Sequence, residues 1–276
     1  MKFDQILYQV EDGVATITLN QPESLNSFTT SMLNELSEAL KNANTDDLVR
    51  VIVLTGSGRG FCAGQNLKER QRSADQPKTD IGDSLKKRYV PIVSAIRNAC
   101  KPVIGAVNRI AAGPGARVAS CCALCFAKES AKFLQAFTRI GLMPDAGGTF
   151  FLTRAAGRQR AMGMSLLAQP ITSRQAESWG LIWKAVPDEE FENEVAQVAK
   201  HLANGPTLAF AKTKQAIIAA EKNDFDSAIE LECELQSGLG FSKDYEEGVN
   251  AFWEKRRPAF SGTSRYQMQT PSERRN

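Results

Sequence analysis

Two glycine turns and one aspartate are the features of this chain whose residue types could do chemistry. Gly56-Ser-Gly-Arg-Gly60 follows the apolar run Arg50–Thr55, and Gly113-Pro-Gly115 follows Pro102–Val107. Glycine at a strand end lets the backbone approach a ligand closely and leaves N–H groups pointing outward. Two such turns converging on one oxygen make an oxyanion hole, which stabilises charge where a transition state develops it. Neither turn is a nucleotide fingerprint. Phe61 stands where G-x-G-x-x-G needs its last glycine, and no Gly-Lys-Ser/Thr follows. The aspartate is Asp145, in Gly141-Leu-Met-Pro-Asp-Ala-Gly-Gly148. A carboxylate there either carries a proton or caps the helix that follows, and the residue types alone leave both readings open.

Composition removes several other chemistries. The 276 residues contain one histidine, His201, set in a helical pattern with Val195, Val198, Ala199 and Leu202. Histidine-based triads and H-E-x-x-H zinc sites therefore have almost nothing to build on. The Cys122–Cys125 pair has the CxxC spacing, but no second pair or nearby histidine completes a metal set, so no metal is expected. Six cysteines, two of them adjacent, read as free thiols in a reducing cytoplasm. The 34 lysines and arginines against 31 acids leave a net charge of +3, which gives no reason to expect nucleic acid as a partner. No apolar run approaches the roughly 18 residues of a membrane helix, and Met1–Asp12 lacks the pattern of a secretory signal.

The elements that must position these turns alternate. Ile6–Val10 and Val14–Leu19 flank Asp12-Gly13 and predict a hairpin. A helix from about Thr30 to Ala43 presents Met32, Leu33, Leu36 and Leu40 on one face. Buried strands at Arg50–Thr55, Pro102–Val107 and Ala123–Ala127, with Lys132–Gln135 after the last, predict an α/β domain of mostly parallel pairing. From about residue 157 helices dominate: Arg158–Ala168, Ser173–Trp179 behind a Thr172-x-x-Gln175 capping box, Glu189–Ala203, Pro206–Glu221 and Asp224–Gln236. Gly180 and Gly205 stand at expected helix C-caps. The division expected is a core over 1–199, a helical subdomain over 200–260 and a disordered tail over 261–276.

The segments Leu19–Ser27, Thr55–Gly64, Lys101–Asn108, Gly141–Gly148, Gln175–Leu181 and Glu247–Lys255 together resemble the crotonase (enoyl-CoA hydratase/isomerase) superfamily over about residues 5–260. Within it they are most similar to the branch of ring-epoxide isomerases acting on 1,2-epoxyphenylacetyl-CoA. The resemblance implies a spiral of ββα turns with a C-terminal helical trimerisation subdomain. It also implies a homotrimer or dimer of trimers, and an acyl-CoA substrate in fatty acid or phenylacetate metabolism. No cofactor is implied beyond the coenzyme A of the substrate.

The resemblance also implies roles. Ala63 and the turn at Gly113 and Gly115 would donate N–H groups to the thioester oxygen, and Asp145 would carry the proton. Ser24, Leu25, Gln65, Asn66 and Leu67 would lie along the substrate, with Phe252 and Lys255 near its nucleotide end, often from a neighbouring subunit. The departures matter as much. Pro114, at the usual second donor, has no N–H. Arg117 and Phe137 stand where hydratases carry their two glutamates, so isomerisation is expected over hydration. Arg117 is expected to pair with Asp145 and lower its pKa. Phe137, Met143, Phe150 and Phe151 are candidates for an aromatic pocket. The competing readings are an acyl-CoA-binding member without turnover, favoured by Pro114, Arg117 and Ala123, a hydratase-like enzyme, and a hydrolytic enzyme with Asp145 as nucleophile.

Overall fold

A computed structural model describes residues 2–71 and 80–262. The chain opens with β1 (Ile6–Glu11) and β2 (Val14–Leu19), antiparallel about Asp12-Gly13. Both turn residues have positive φ, 48° and 78°, as a tight turn matched to strand twist requires. Next come α1 (Thr30–Thr45), whose N-cap Thr29 accepts the Met32 N–H, and β3 (Val51–Gly56). A repeated unit then sets the architecture. Each turn of chain places one strand in a six-stranded sheet, a short strand in a four-stranded sheet, and a helical segment across both. The units are β3 with β4 (Gly60–Cys62), then α2 (Ile81–Ser84) and α3 (Val90–Arg97); β5 (Val103–Val107), β6 (Ile110–Ala112) and α4 (Pro114–Ser120); and β7 (Leu124–Lys128), β8 (Lys132–Leu134) and α5 (Gly148–Leu167).

The larger sheet runs β1-β2-β3-β5-β7-β10, parallel from β2 onward, and the smaller runs β4-β6-β8-β9. Here β9 is Ile171–Thr172 and β10 is Lys184–Val186, with α6 (Ser173–Ser178) between them behind the expected capping box. Strand β5 is buried throughout, which explains its unbroken apolar sequence. One core lies between the larger sheet and α1, α3 and α4. A second lies on the sheet's other face under α7 (Phe191–Ala203). The chain closes with α8 (Thr207–Ala220), α9 (Phe225–Gly240) and α10 (Lys243–Trp253).

The helical boundaries differ in detail from those expected. Gly157, with φ 78° and ψ 164°, breaks α5 so that its second segment begins at Arg158 as expected, and a further segment from Gly148 precedes it. That first segment lacks a clear amphipathic signal, which hid it. Gly180 and Gly205 each follow a helix C-cap as expected, Gly180 with positive φ and Gly205 without. A Cβ on Gly205 would lie 2.4 Å from the Phe210 ring, so close packing is what requires glycine. The boundary at 199/200 falls inside α7, whose Ala199 and Ala203 share one core. Of the tail expected from 261, Ser261 and Gly262 are held by the Asp244 carboxylate, and the rest lies outside the described residues.

Candidate active site

Asn26, fully buried, ties the loop after β2 to the first glycine turn. Its Oδ1 accepts the Gln21 N–H at 2.7 Å, and its Nδ2 donates to Ser57 O at 2.9 Å and Gly60 O at 2.8 Å. That clamp fixes the run from Gly60 to Gln65. Gly64, at φ 96°, abuts the second turn, since a Cβ on it would meet Ala112 O at 3.0 Å and Pro114 Cδ at 3.3 Å. The stretch after β4, and not the Gly56–Gly60 turn, therefore meets the second turn; Gly56, Gly58 and Arg59 line a different cleft.

Ala63–Gln65 and the second turn form one wall of a cavity of about 550 Å³ whose lining includes Ala63, Gly64, Gln65, Gly113, Pro114 and Asp145. A larger cleft of about 770 Å³ lies away from it, between the larger sheet and α7. The expected donors are not the ones available. Ala63 N–H donates to Leu25 O at 2.9 Å and Gly113 N–H to Leu134 O at 2.8 Å, so neither is free for a ligand. Gly115 lies outside the cavity lining, pressed against Cys62 so closely that a Cβ would come within 2.5 Å of Cys62 O. The group that is free is one residue beyond Gly64. Phe28 N–H bonds Gly64 O and Asn66 N–H bonds Phe28 O. Alternation along this extended stretch turns Gln65 N–H to the opposite side, and it meets no acceptor among the described residues.

Asp145 sits three residues before α5, yet it does not cap the helix: the N-cap is Gly147, and no side chain accepts there. Its Oδ1 is buried without a hydrogen-bond partner. Burial raises its pKa from 3.8 to about 6, outweighing the opposing pull of Arg117 and of its own backbone N–H. This reverses the expectation that Arg117 holds Asp145 low. No ion pair within 4 Å joins them among the described residues, although Arg117 is fully buried. Its guanidinium reaches Ser120 Oγ at 3.3 Å and Gln135 Oε1 at 3.5 Å, lies 5.9 Å from the Phe151 ring centre, and leaves Nε unpartnered. Desolvation lowers its own pKa to about 10. It is not part of the lining.

The remaining expected contacts divide. Leu67 lines the cavity. Asn66 instead caps the helical turn Leu67–Arg70, accepting the Lys68 N–H at 3.0 Å. Ser24 and Leu25 lie outside the lining, where Leu25 O holds Ala63. Phe252 and Trp253 are both 76% exposed on α10, and Phe252 borders a separate hollow with Leu239 and Phe260. Lys255 follows α10 at φ 55°. Within one chain neither Phe252 nor Lys255 reaches the cavity. Of the expected aromatic pocket, only Phe137 lines the site; Met143 is exposed, and Phe150 stacks with Arg97 and Arg154.

Reading the sequence missed Tyr89, Arg70, Ser84 and Arg139, which also line the cavity. Tyr89 ends a π-helical turn, Leu85–Tyr89, between α2 and α3. Pro91, which cannot donate to the carbonyl four residues back, disturbs the ladder there, and that was the one local signal available.

This succession of ββα units around a glycine-walled cavity defines a hydratase/isomerase class of acyl-thioester enzyme, and the chain belongs to the enoyl-CoA hydratase/isomerase family, whose model matches residues 9–263. Among its relatives, the 1,2-epoxyphenylacetyl-CoA isomerase of Escherichia coli K12 is 48% identical over 93% of this chain and 98% of its own length. A probable enoyl-CoA hydratase of Rhodobacter capsulatus is 46% identical over 95% of this chain and all of its own. The crystal structure of an enoyl-CoA hydratase from Bacillus anthracis superposes with a TM-score of 0.88 at 30% identity, covering 94% of this chain and all of that one. The fold is thus the crotonase fold with a helical C-terminal region.

Proposed function

We propose that the chain is an acyl-CoA isomerase in which Asp145 moves a proton between two carbons of the acyl group. One observation carries this reading: Asp145 is the only carboxylate lining the cavity among the described residues, with a free oxygen and a pKa near 6. A base poised near neutrality can take a proton from Cα as an ion and return it elsewhere as an acid. Hydration by paired glutamates finds no second acid among the described lining residues: Phe137 lines the cavity and Arg117 does not. The thioester oxygen is held by Gln65 N–H, in place of the Ala63 N–H expected from sequence.

The coenzyme A of the substrate is the only nucleotide this scheme needs, and it needs no metal. Assembly as a homotrimer or dimer of trimers would bring Phe252 and Lys255 to a neighbour's nucleotide end. The exposed Phe225, Phe241, Phe252 and Trp253 support that assembly. Six free thiols accord with a cytoplasmic setting. Among the described residues no helix is long and apolar enough to cross a membrane.

The test is exchange of the α-protons of bound phenylacetyl-CoA with heavy water, followed by NMR. Wild type should exchange them, and Asp145→Ala should slow exchange at least about 100-fold. A wild type that binds the thioester without exchange would leave a binding protein. An acyl-enzyme trapped on Asp145, a mixed anhydride formed as the coenzyme A thiolate leaves, would mean hydrolysis by a nucleophilic aspartate.

A further inference from the structure

Negative charge developing on a thioester oxygen calls for two hydrogen-bond donors, and among the described residues of these two turns the main chain offers one, at Gln65. Pro114 has no N–H, and those of Ala63 and Gly113 are engaged. A second donor of another kind stands beside Gln65. Tyr89 is 4% exposed, lines the cavity with Gln65, Pro114 and Asp145, and meets the Phe28 ring edge-on at 6.1 Å. Its hydroxyl donates to Gln65 Oε1 at 2.5 Å. The same Oε1 is approached by Arg70 Nη2 at 3.5 Å, and that guanidinium is anchored on Ser84 Oγ at 3.0 Å. Gln65 Nε2 is held separately by Phe28 O at 3.0 Å.

We propose that the phenolic O–H of Tyr89 is the second oxyanion donor, replacing the main-chain N–H that Pro114 lacks. This rests on the isomerase reading and adds a catalytic residue to it. When substrate enters, the hydroxyl rotates from Gln65 Oε1 to the thioester oxygen, and Arg70 remains to satisfy the amide oxygen. No proton is transferred to the substrate oxygen in this step. Burial, reinforced by the charge of Asp145, raises the phenol above the usual tyrosine range, so the proton stays on Tyr89.

The experiment compares wild type, Tyr89→Phe and Tyr89→Phe/Pro114→Ala. The probe is phenylacetyl-CoA carrying carbon-13 at its thioester carbonyl. Tyr89→Phe should lose a large part of the infrared downshift that the carbonyl undergoes on binding. It should also slow α-proton exchange about 100-fold while changing the affinity for coenzyme A itself by less than threefold. Pro114→Ala restores an N–H at that place and should recover part of both signals. An unchanged carbonyl band and exchange rate in Tyr89→Phe overturns the assignment, as does a double variant no better than the single one. A wild type that shifts the carbonyl without exchanging protons would instead sink the isomerase reading, and the infrared comparison would still decide the role of Tyr89.

Discussion

Asp145 and Arg117 are the pair on which the chemistry turns, and the competition between burial and charge decides their states. Desolvation opposes ionisation of both, and the charge of Arg117 offsets only part of the cost at Asp145. The folded pKa, about 6, lies above the roughly 4 of an unfolded aspartate, so the folded state holds this proton more tightly. The stabilisation from protonated Asp145 is therefore complete below about pH 4 and is lost as pH rises through 6. Asp145→Asn imitates the protonated acid. At pH 8 it should be more stable than wild type by about 1–2 kcal/mol, and below pH 4 equal to it, as denaturant titrations would show. The wild-type kcat/KM should fall along an acidic limb centred near pH 6. A limb near 4 would mean that the carboxylate is solvated when it works.

Elements matter here through their ends. The first turn of α5 has no side-chain cap, and Gly148 within it touches the guanidinium of Arg117. A Cβ at that glycine would lie 2.6 Å from Arg117 Nη2 and 2.8 Å from Pro144 Cβ. Gly148→Ala should thus cost about 1–3 kcal/mol of stability, measured by thermal unfolding, since Pro144 and a buried cation must both shift. A neutral substitution there would mean that Arg117 has other room. The π turn ending at Tyr89 is the other decisive end, because it brings the phenol to the cavity wall.

The whole molecule leaves its C-terminal helices underpacked. Helices α8 to α10 bury few residues and expose Phe225, Phe241, Phe252 and Trp253, an unusual concentration of large apolar groups. If a second copy covers this face, Phe252→Asp with Trp253→Asp should reduce the sedimenting mass to that of a single chain and depress activity with it. An unchanged mass would remove these helices from the assembly contact.

Much of this was open to reading along the chain. The hairpin at Asp12-Gly13, the buried strands β3, β5 and β7 and the Thr172–Gln175 capping box rest on local periodicity and turn chemistry. So did the singling out of Asp145. Which N–H is free was not legible, because alternation about the Phe28 bridge passes the role from Ala63 to Gln65. Nor was the state of Asp145, since Coulomb attraction can be guessed from residue types while desolvation depends on how deeply the fold buries them. Tyr89, Arg70 and Gln65 come together across 24 residues of sequence through packing, which no spacing rule encodes.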